Sequence, residues 1–159
     1  MKTAGILLLF ALCTAIGMRA ASRKTERYRR IGALIRNLRL FSEAADAEIS
    51  LQGIEKQYDG ELFSMLQTYL NARSAAAREA DAASAAAEMW KPFDFEYEAL
   101  LSFFTGLSTA GSERLHERIR SLERALSEAE QAAAETAKQA KTIRAVGVLA
   151  GVGLCILLL

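Results

Sequence analysis

Residues 112–159 read SERLHERIRSLERALSEAEQAAAETAKQAKTIRAVGVLAGVGLCILLL. Leu115, Ile119, Leu122, Leu126, Ala129, Ala133, Thr136, Ala140 and Ile143 recur at alternating spacings of four and three. That heptad-like seam predicts one long helix with a single apolar face. The seam thins from leucine to alanine along its length, so a partner helix can come closer toward the C-terminal end. Nothing in the stretch breaks the helix before the uncharged run that closes the chain. At about 1.5 Å per residue the segment reaches roughly 72 Å.

The closing run, residues 145–159 (AVGVLAGVGLCILLL), has a counterpart at the other end, residues 3–18 (TAGILLLFALCTAIGM). Neither carries a charge. The residues between them hold all but one of the 20 basic side chains and all 19 acidic ones. The hydrophobic fraction of 52% is therefore concentrated at the termini of a hydrophilic chain. Sixteen helical residues span about 24 Å, which falls short of a ~30 Å hydrocarbon core unless flanking Lys2 and Arg19 snorkel. On this reading both ends are transmembrane helices. The domain boundaries expected are 1–22 for the N-terminal span and its basic collar, 23–142 for a helical domain, and 143–159 for the C-terminal span. The competing reading of the first segment is a cleaved signal peptide. Arg19 in the cleavage region, and a helical pattern running straight on, oppose it. A lipoprotein anchor at Cys13 fits poorly because Leu12 precedes it.

Charge sets the expected orientation. Arg19, Arg23, Lys24, Arg27, Arg29 and Arg30 follow the first span with one acid, Glu26, among them. Lys138, Lys141 and Arg144 precede the second. The positive-inside rule then places the middle of the chain in the cytoplasm, and the collar can also meet anionic head groups. In the second span Gly147 and Gly151 form a GxxxG pair, which permits close approach of two helices in lipid. The plain alternative is that glycine is common in membrane helices.

The middle reads as helix throughout. One proline in 159 residues, abundant alanine and 8% aromatics leave little material for strands. Residues 19–52 continue the first segment through Ile31, Ile35, Leu38, Ala45 and Ile49, with Gly53 and Asp59-Gly60 as the first breakers. A second helix is predicted over 61–73. Residues 74–90 are predicted as an alanine-rich helix of modest packing strength, ended by Trp90-Lys91-Pro92. Asp94 is the expected N-cap of a helix over 95–107, whose phenylalanines and leucines mark the core. Gly106–Gly111 is a loop, with Ser112 expected to cap the last helix. The economical arrangement is an all-α antiparallel bundle in which the first and last helices pack together. Use of the seam for a dimeric coiled coil is the competing reading, which would make the chain a membrane-anchored scaffold or envelope spacer.

Catalytic and binding chemistry is sparse. A net charge of +1 argues against an overall nucleic-acid binder. No phosphate loop occurs, and no nucleophile stands beside a base. The sole histidine, His116, has Glu113, Glu117 and Arg120 near it and reads as a solvated helix residue rather than a ligand. The pairs Glu96/Glu98 and Glu128/Glu130 read as charged helix faces without burial. Cys13 and Cys155 sit one in each apolar end, where they read as small apolar residues. No enzyme activity, cofactor, metal or small-molecule substrate is expected.

Residues 97–119, YEALLSFFTGLSTAGSERLHERI, followed by a charged helix and IRAVGVLAGVGLCILLL, resemble the stage III sporulation protein AB family of endospore-forming bacteria. The family closes on L-G-x-L-A-G, which here is Val146-Gly147-Val148-Leu149-Ala150-Gly151. Its T-E-R start and E-I end match Thr25-Glu26-Arg27 and Ala47-Glu48-Ile49. The chain departs from the family at Phe103-Phe104-Thr105-Gly106-Leu107-Ser108, where two glycines are replaced. It also lacks the proline turn after Ile49, and Leu115 or His116 replaces a glutamine. The resemblance implies a non-enzymatic part of the channel complex between mother cell and forespore, in the outer forespore membrane with its helical domain facing the mother-cell cytoplasm. That domain is similar to the platform proteins of type II secretion. The implied partners are the complex's ATPase and its membrane ring proteins, besides the bilayer, and a second copy of the chain is possible. The expected partner-facing patch is the tip loop, with Gly106, Ser108, Thr109, Gly111 and Ser112, farthest from the membrane.

Overall fold

A computed structural model describes residues 2–75 and 77–158; within the two terminal helices, the side-chain surroundings of residues 2–9, 13, 20, 141, 143, 144, 147, 151, 154, 155, 157 and 158 are not described. The described residues are mostly helical and contain no strand. Among them six α-helices follow in order: α1 (Lys2–Asp46), α2 (Leu51–Gln57), α3 (Glu61–Ser74), α4 (Glu79–Ala87), α5 (Asp94–Phe104) and α6 (Ser112–Leu158), with one 3-10 turn, Glu88–Trp90, after α4. Two compact units emerge, one made of Met1–Arg30 with Glu130–Leu159, the other of Ile31–Ala129. Among the described residues no helix is long and apolar enough to cross a membrane, and much of the two expected spans falls on residues whose side chains are not described.

The unit from Ile31 to Ala129 holds the core. Along α1, Ile31, Leu34, Ile35, Leu38, Phe41 and Ala44 are buried, an i, i+3, i+4 stripe. Phe41 meets Phe103 of α5 edge-on at 5.7 Å, and Phe103 meets Phe104 at 5.2 Å. Phe104 in turn lies 5.6 Å from Tyr69 of α3. The aromatic chain thus fastens α1, α5 and α3 in one cluster. Truncating a buried phenylalanine at such a site costs about 3–5 kcal/mol.

The antiparallel pairing of α1 and α6 is visible in this unit. Asp46 meets His116, while Leu38 and Arg39 border the same concavity as Ile119 and Glu123. As the α1 number falls, the α6 number rises. The same holds for α5, where Arg118 reaches Ser102 and Ala99 shares a groove with Ala125. The seam residues Ile119, Leu122, Leu126, Ala129, Ala133 and Ala140 are buried within a single chain.

Several local expectations are corrected. The first helix stops at Asp46, ahead of Gly53. The amide of Glu48 donates to the Ala45 carbonyl and that of Ile49 to Ala44, both at 3.0 Å, with Glu48 at φ 58°. This pair of bonds is a Schellman ending, made with glutamate where glycine is usual. Gly53 sits inside α2, whose N-cap Ser50 accepts the Gly53 amide at 3.2 Å. The alanine-rich segment is interrupted before Glu79, and its Ala82, Ala83, Ala86 and Ala87 are buried. Small side chains bring α4 against both α3 and α5. Phe93 rather than Asp94 occupies the N-cap of α5, and α5 ends at Phe104 rather than 107. Ser112 is the first residue of α6 rather than its cap. Phe95 is half exposed, whereas Glu96 is fully buried, the reverse of the expectation for both. Glu96, Leu100 and Phe103 share the inward stripe of α5, and Phe95 points off it.

Candidate functional site

The loop between α5 and α6 is held from two sides. On one side the Tyr69 hydroxyl donates to Glu79 Oε1 at 3.0 Å. The Ser108 hydroxyl donates to the same oxygen at 3.1 Å, and the Ser108 amide donates to the Tyr69 hydroxyl at 3.3 Å. Tyr69 is buried, so a phenol from α3 and a carboxylate from the first turn of α4 both reach a loop some thirty to forty residues away. Burial raises the Tyr69 hydroxyl above its usual pKa. For Glu79 burial acts in the same upward sense. Hydrogen bonds from Tyr69, Ser108 and the Gly106 backbone, with the Arg73 charge, outweigh it and bring the carboxyl below its ordinary value.

On the other side Arg118 of α6 donates through Nη1 to the Ser102 carbonyl at 2.7 Å and to the Thr105 carbonyl. These are carbonyls that the end of α5 leaves without helical partners, so a guanidinium closes the helix and meets the negative end of its dipole. Gly106 has φ 79°, and a Cβ there would stand 2.6 Å from Arg118 Nη2. The positive φ is what favours glycine here, and a Cβ would in addition push aside the end of the Arg118 side chain.

The predicted tip residues are Gly106, Ser108, Thr109, Gly111 and Ser112. Ser108, Thr109, Gly111 and Ser112 are exposed and Gly106 is half-buried. Thr109 donates to the Gly106 carbonyl at 3.3 Å. The loop is a fixed, neutral, hydroxyl-bearing surface. Its neighbour His116 is not a simply solvated residue. Its Nε2 lies 2.7 Å from Asp46 Oδ1 and its Nδ1 2.7 Å from the Ser112 carbonyl. Both ring nitrogens face acceptors, so only the imidazolium satisfies both. The hydrogen bond to Asp46, then that to Ser112, raises its pKa above 6.5. Sequence reasoning could not find this contact, because Asp46 lies seventy residues away.

The collar lies on α1. Arg19, Arg23 and Arg29 are exposed, and Lys24, Arg27 and Arg30 are half-buried. Arg29 bonds Glu26 one turn earlier at 2.9 Å. The side chains and surroundings of Gly147 and Gly151, expected to pack against another helix, lie outside the described residues, as do those of Cys13 and Cys155. Among the described residues no cluster of three or more metal-ligating side chains occurs.

A family model described as Stage III sporulation protein AB matches residues 2–159. No curated protein and no solved structure matches the chain.

Proposed function

The chain belongs to the stage III sporulation protein AB family, which gives it a role in sporulation, and from that premise we propose that it is a non-enzymatic membrane platform of the channel complex needed for endospore formation. Its two ends are held in the outer forespore membrane. Its helical body faces the mother-cell cytoplasm and holds the complex's ATPase in place beside the ring proteins. Hydrolysis belongs to the ATPase, and this chain supplies a fixed surface.

One observation carries the membrane half of this reading. The large hydrophobic side chains more than two-fifths exposed cluster at the two ends of the chain, at Leu12, Ile16 and Met18 and at Val146, Val148, Leu149, Val152 and Ile156. Only Met89 and Phe95 reach that exposure elsewhere among the described residues. Both end groups belong to one compact unit. Apolar surface gathered this way asks for an apolar solvent. The collar from Arg19 to Arg30 then lies at the anionic head groups. The doubly fastened loop at Gly106–Gly111 supports the docking half, since a surface ordered in advance loses less entropy on binding.

Flotation tests the first half. The full chain mixed with vesicles of anionic phospholipid is expected to float with them after a carbonate wash, and recovery in the wash refutes membrane anchoring. Binding of the purified ATPase to the floated vesicles tests the second. Thr109→Glu at the tip is expected to lower the bound ATPase without altering flotation, and unchanged binding refutes the placement at the tip.

A further inference from the structure

The first helix ends on an acid with no cation of its own. Asp46 is the last residue of α1, and the final turn of that helix carries no basic side chain. A carboxylate there stands at the negative end of the helix dipole and is disfavoured unless a positive charge answers it. The answer comes from α6. His116 Nε2 lies 2.7 Å from Asp46 Oδ1, and Nδ1 of the same ring lies 2.7 Å from the carbonyl of Ser112, the residue with which α6 begins. A charged imidazolium donates through both nitrogens, whereas a neutral ring has a single N–H and turns a lone pair toward one of the two oxygens. The ring therefore ties the end of α1 to the end of the α5–α6 loop only while it holds its second proton.

The surroundings sharpen this dependence. The charged groups facing the concavity beside His116 are Asp46 from α1 and Glu113, Arg120 and Glu123 from α6, and Ser42 and Ile119 complete its wall. With the ring protonated, three carboxylates face two cations; without the proton they face Arg120 alone. Among the described residues His116 is the ion-pair partner of Asp46, and 35% of its side chain is exposed, so protons reach it from solvent.

We propose that His116 and Asp46 form a proton-operated latch on the tip loop. Protonated, it holds the end of α1 against the first turns of α6 and fixes Ser112, where the loop ends. Deprotonated, it releases the end of α1, the loop loses one of its fastenings and the ATPase docks less tightly. The latch rests on the docking reading above, whose surface it regulates. His116 is a positioning residue here, since the loop and not the ring meets the partner.

The chain holds a single histidine, so isotope-labelled histidine gives one ring resonance to titrate in the full chain. Binding of the purified ATPase to vesicles carrying the full chain is measured beside it, from about pH 6 to about pH 8.5. Binding is expected to fall several-fold with the midpoint of the ring. Asp46→Asn removes the charge that holds the proton and should move both midpoints down together. His116→Gln should make binding indifferent to pH. A fall that keeps its midpoint in Asp46→Asn, or survives in His116→Gln, arises from other groups and overturns the latch. Binding that ignores pH while the ring titrates overturns the latch and leaves docking standing. An ATPase that binds at no pH refutes docking, and the latch is then decided by amide exchange over residues 108–116. Exchange there should be several-fold faster in His116→Gln than in the unaltered chain at about pH 6 and equal at about pH 8.5. Equal exchange at both values overturns it.

Discussion

His116 Nε2 and Asp46 Oδ1 meet at 2.7 Å across seventy residues of sequence, joining the last residue of α1 to the second turn of α6. The contact fixes the antiparallel pairing of the two longest helices at the end nearest the α5–α6 loop. Because the same ring also faces the Ser112 carbonyl, the clasp is a proton-dependent one.

The sign follows from linkage. The folded pKa of His116 is raised above 6.5, so its contribution to stability is complete below about pH 6.5 and is lost as pH rises through the folded pKa. Replacing His116 by alanine should therefore destabilise the chain more at pH 6 than at pH 9. Urea titrations of both forms at the two pH values check this, and a pH-independent difference refutes it.

Glu79 gives the opposite window. Its folded pKa is lowered, so its contribution is present above the ordinary carboxyl pKa of 4.5 and disappears as pH falls through the folded value. Tyr69→Phe removes the hydroxyl that donates to Glu79 and accepts from Ser108. A loss of about 1–2 kcal/mol is expected at neutral pH, with faster amide exchange at Ser108. Hydrogen exchange resolved by residue is the measurement.

Glu48 occupies the left-handed position of the Schellman ending at φ 58°. Glycine adopts that conformation without a Cβ clash, so Glu48→Gly should stabilise the chain by about 0.5–1 kcal/mol. A rise in thermal midpoint is the expected readout. A fall would mean that the glutamate side chain contributes more than the backbone strain costs.

Gly60 has φ 146°, and a Cβ there would collide with the side-chain amide of Asn37 on α1. Gly60→Ala combines a disfavoured backbone with a displaced neighbour. It should destabilise by about 1–3 kcal/mol. Pairing it with Asn37→Ala should recover the steric part and leave the conformational part, a double-mutant cycle readable in urea.

Much of the architecture was legible because periodicity is a strong signal in long helices. The seam from Leu115 to Ala140 and the helix over 61–73 are where spacing put them. The break after Asp46 was hidden because its left-handed residue is a glutamate, which carries no turn signal, while Gly53 carried one falsely. Glu96 lies on the same stripe as Leu100 and Phe103, so a stricter reading of that stripe would have placed it inside. The site was legible only in part. Ser108 and Gly106 stood out as loop residues, but their fastening by Tyr69, Glu79 and Arg118 is made by tertiary approach, and no local pattern encodes it.

The 47 residues of α6 form one helix from Ser112 to Leu158 with no proline. Every residue advances the helix by about 100°, so the angular phase of the exposed Val146 and Leu149 is locked to that of the buried Ala133 and Ala140 in the same unit. Inserting one residue between Ala140 and Val146 would rotate the apolar end by about 100° relative to the alanines, whereas inserting seven would restore the phase to within about 20°. The helix is a phase-keeping shaft, and within residues 130–158 insertions of seven, eleven or eighteen residues leave the exposed and the buried residues within about 20° of their original phase.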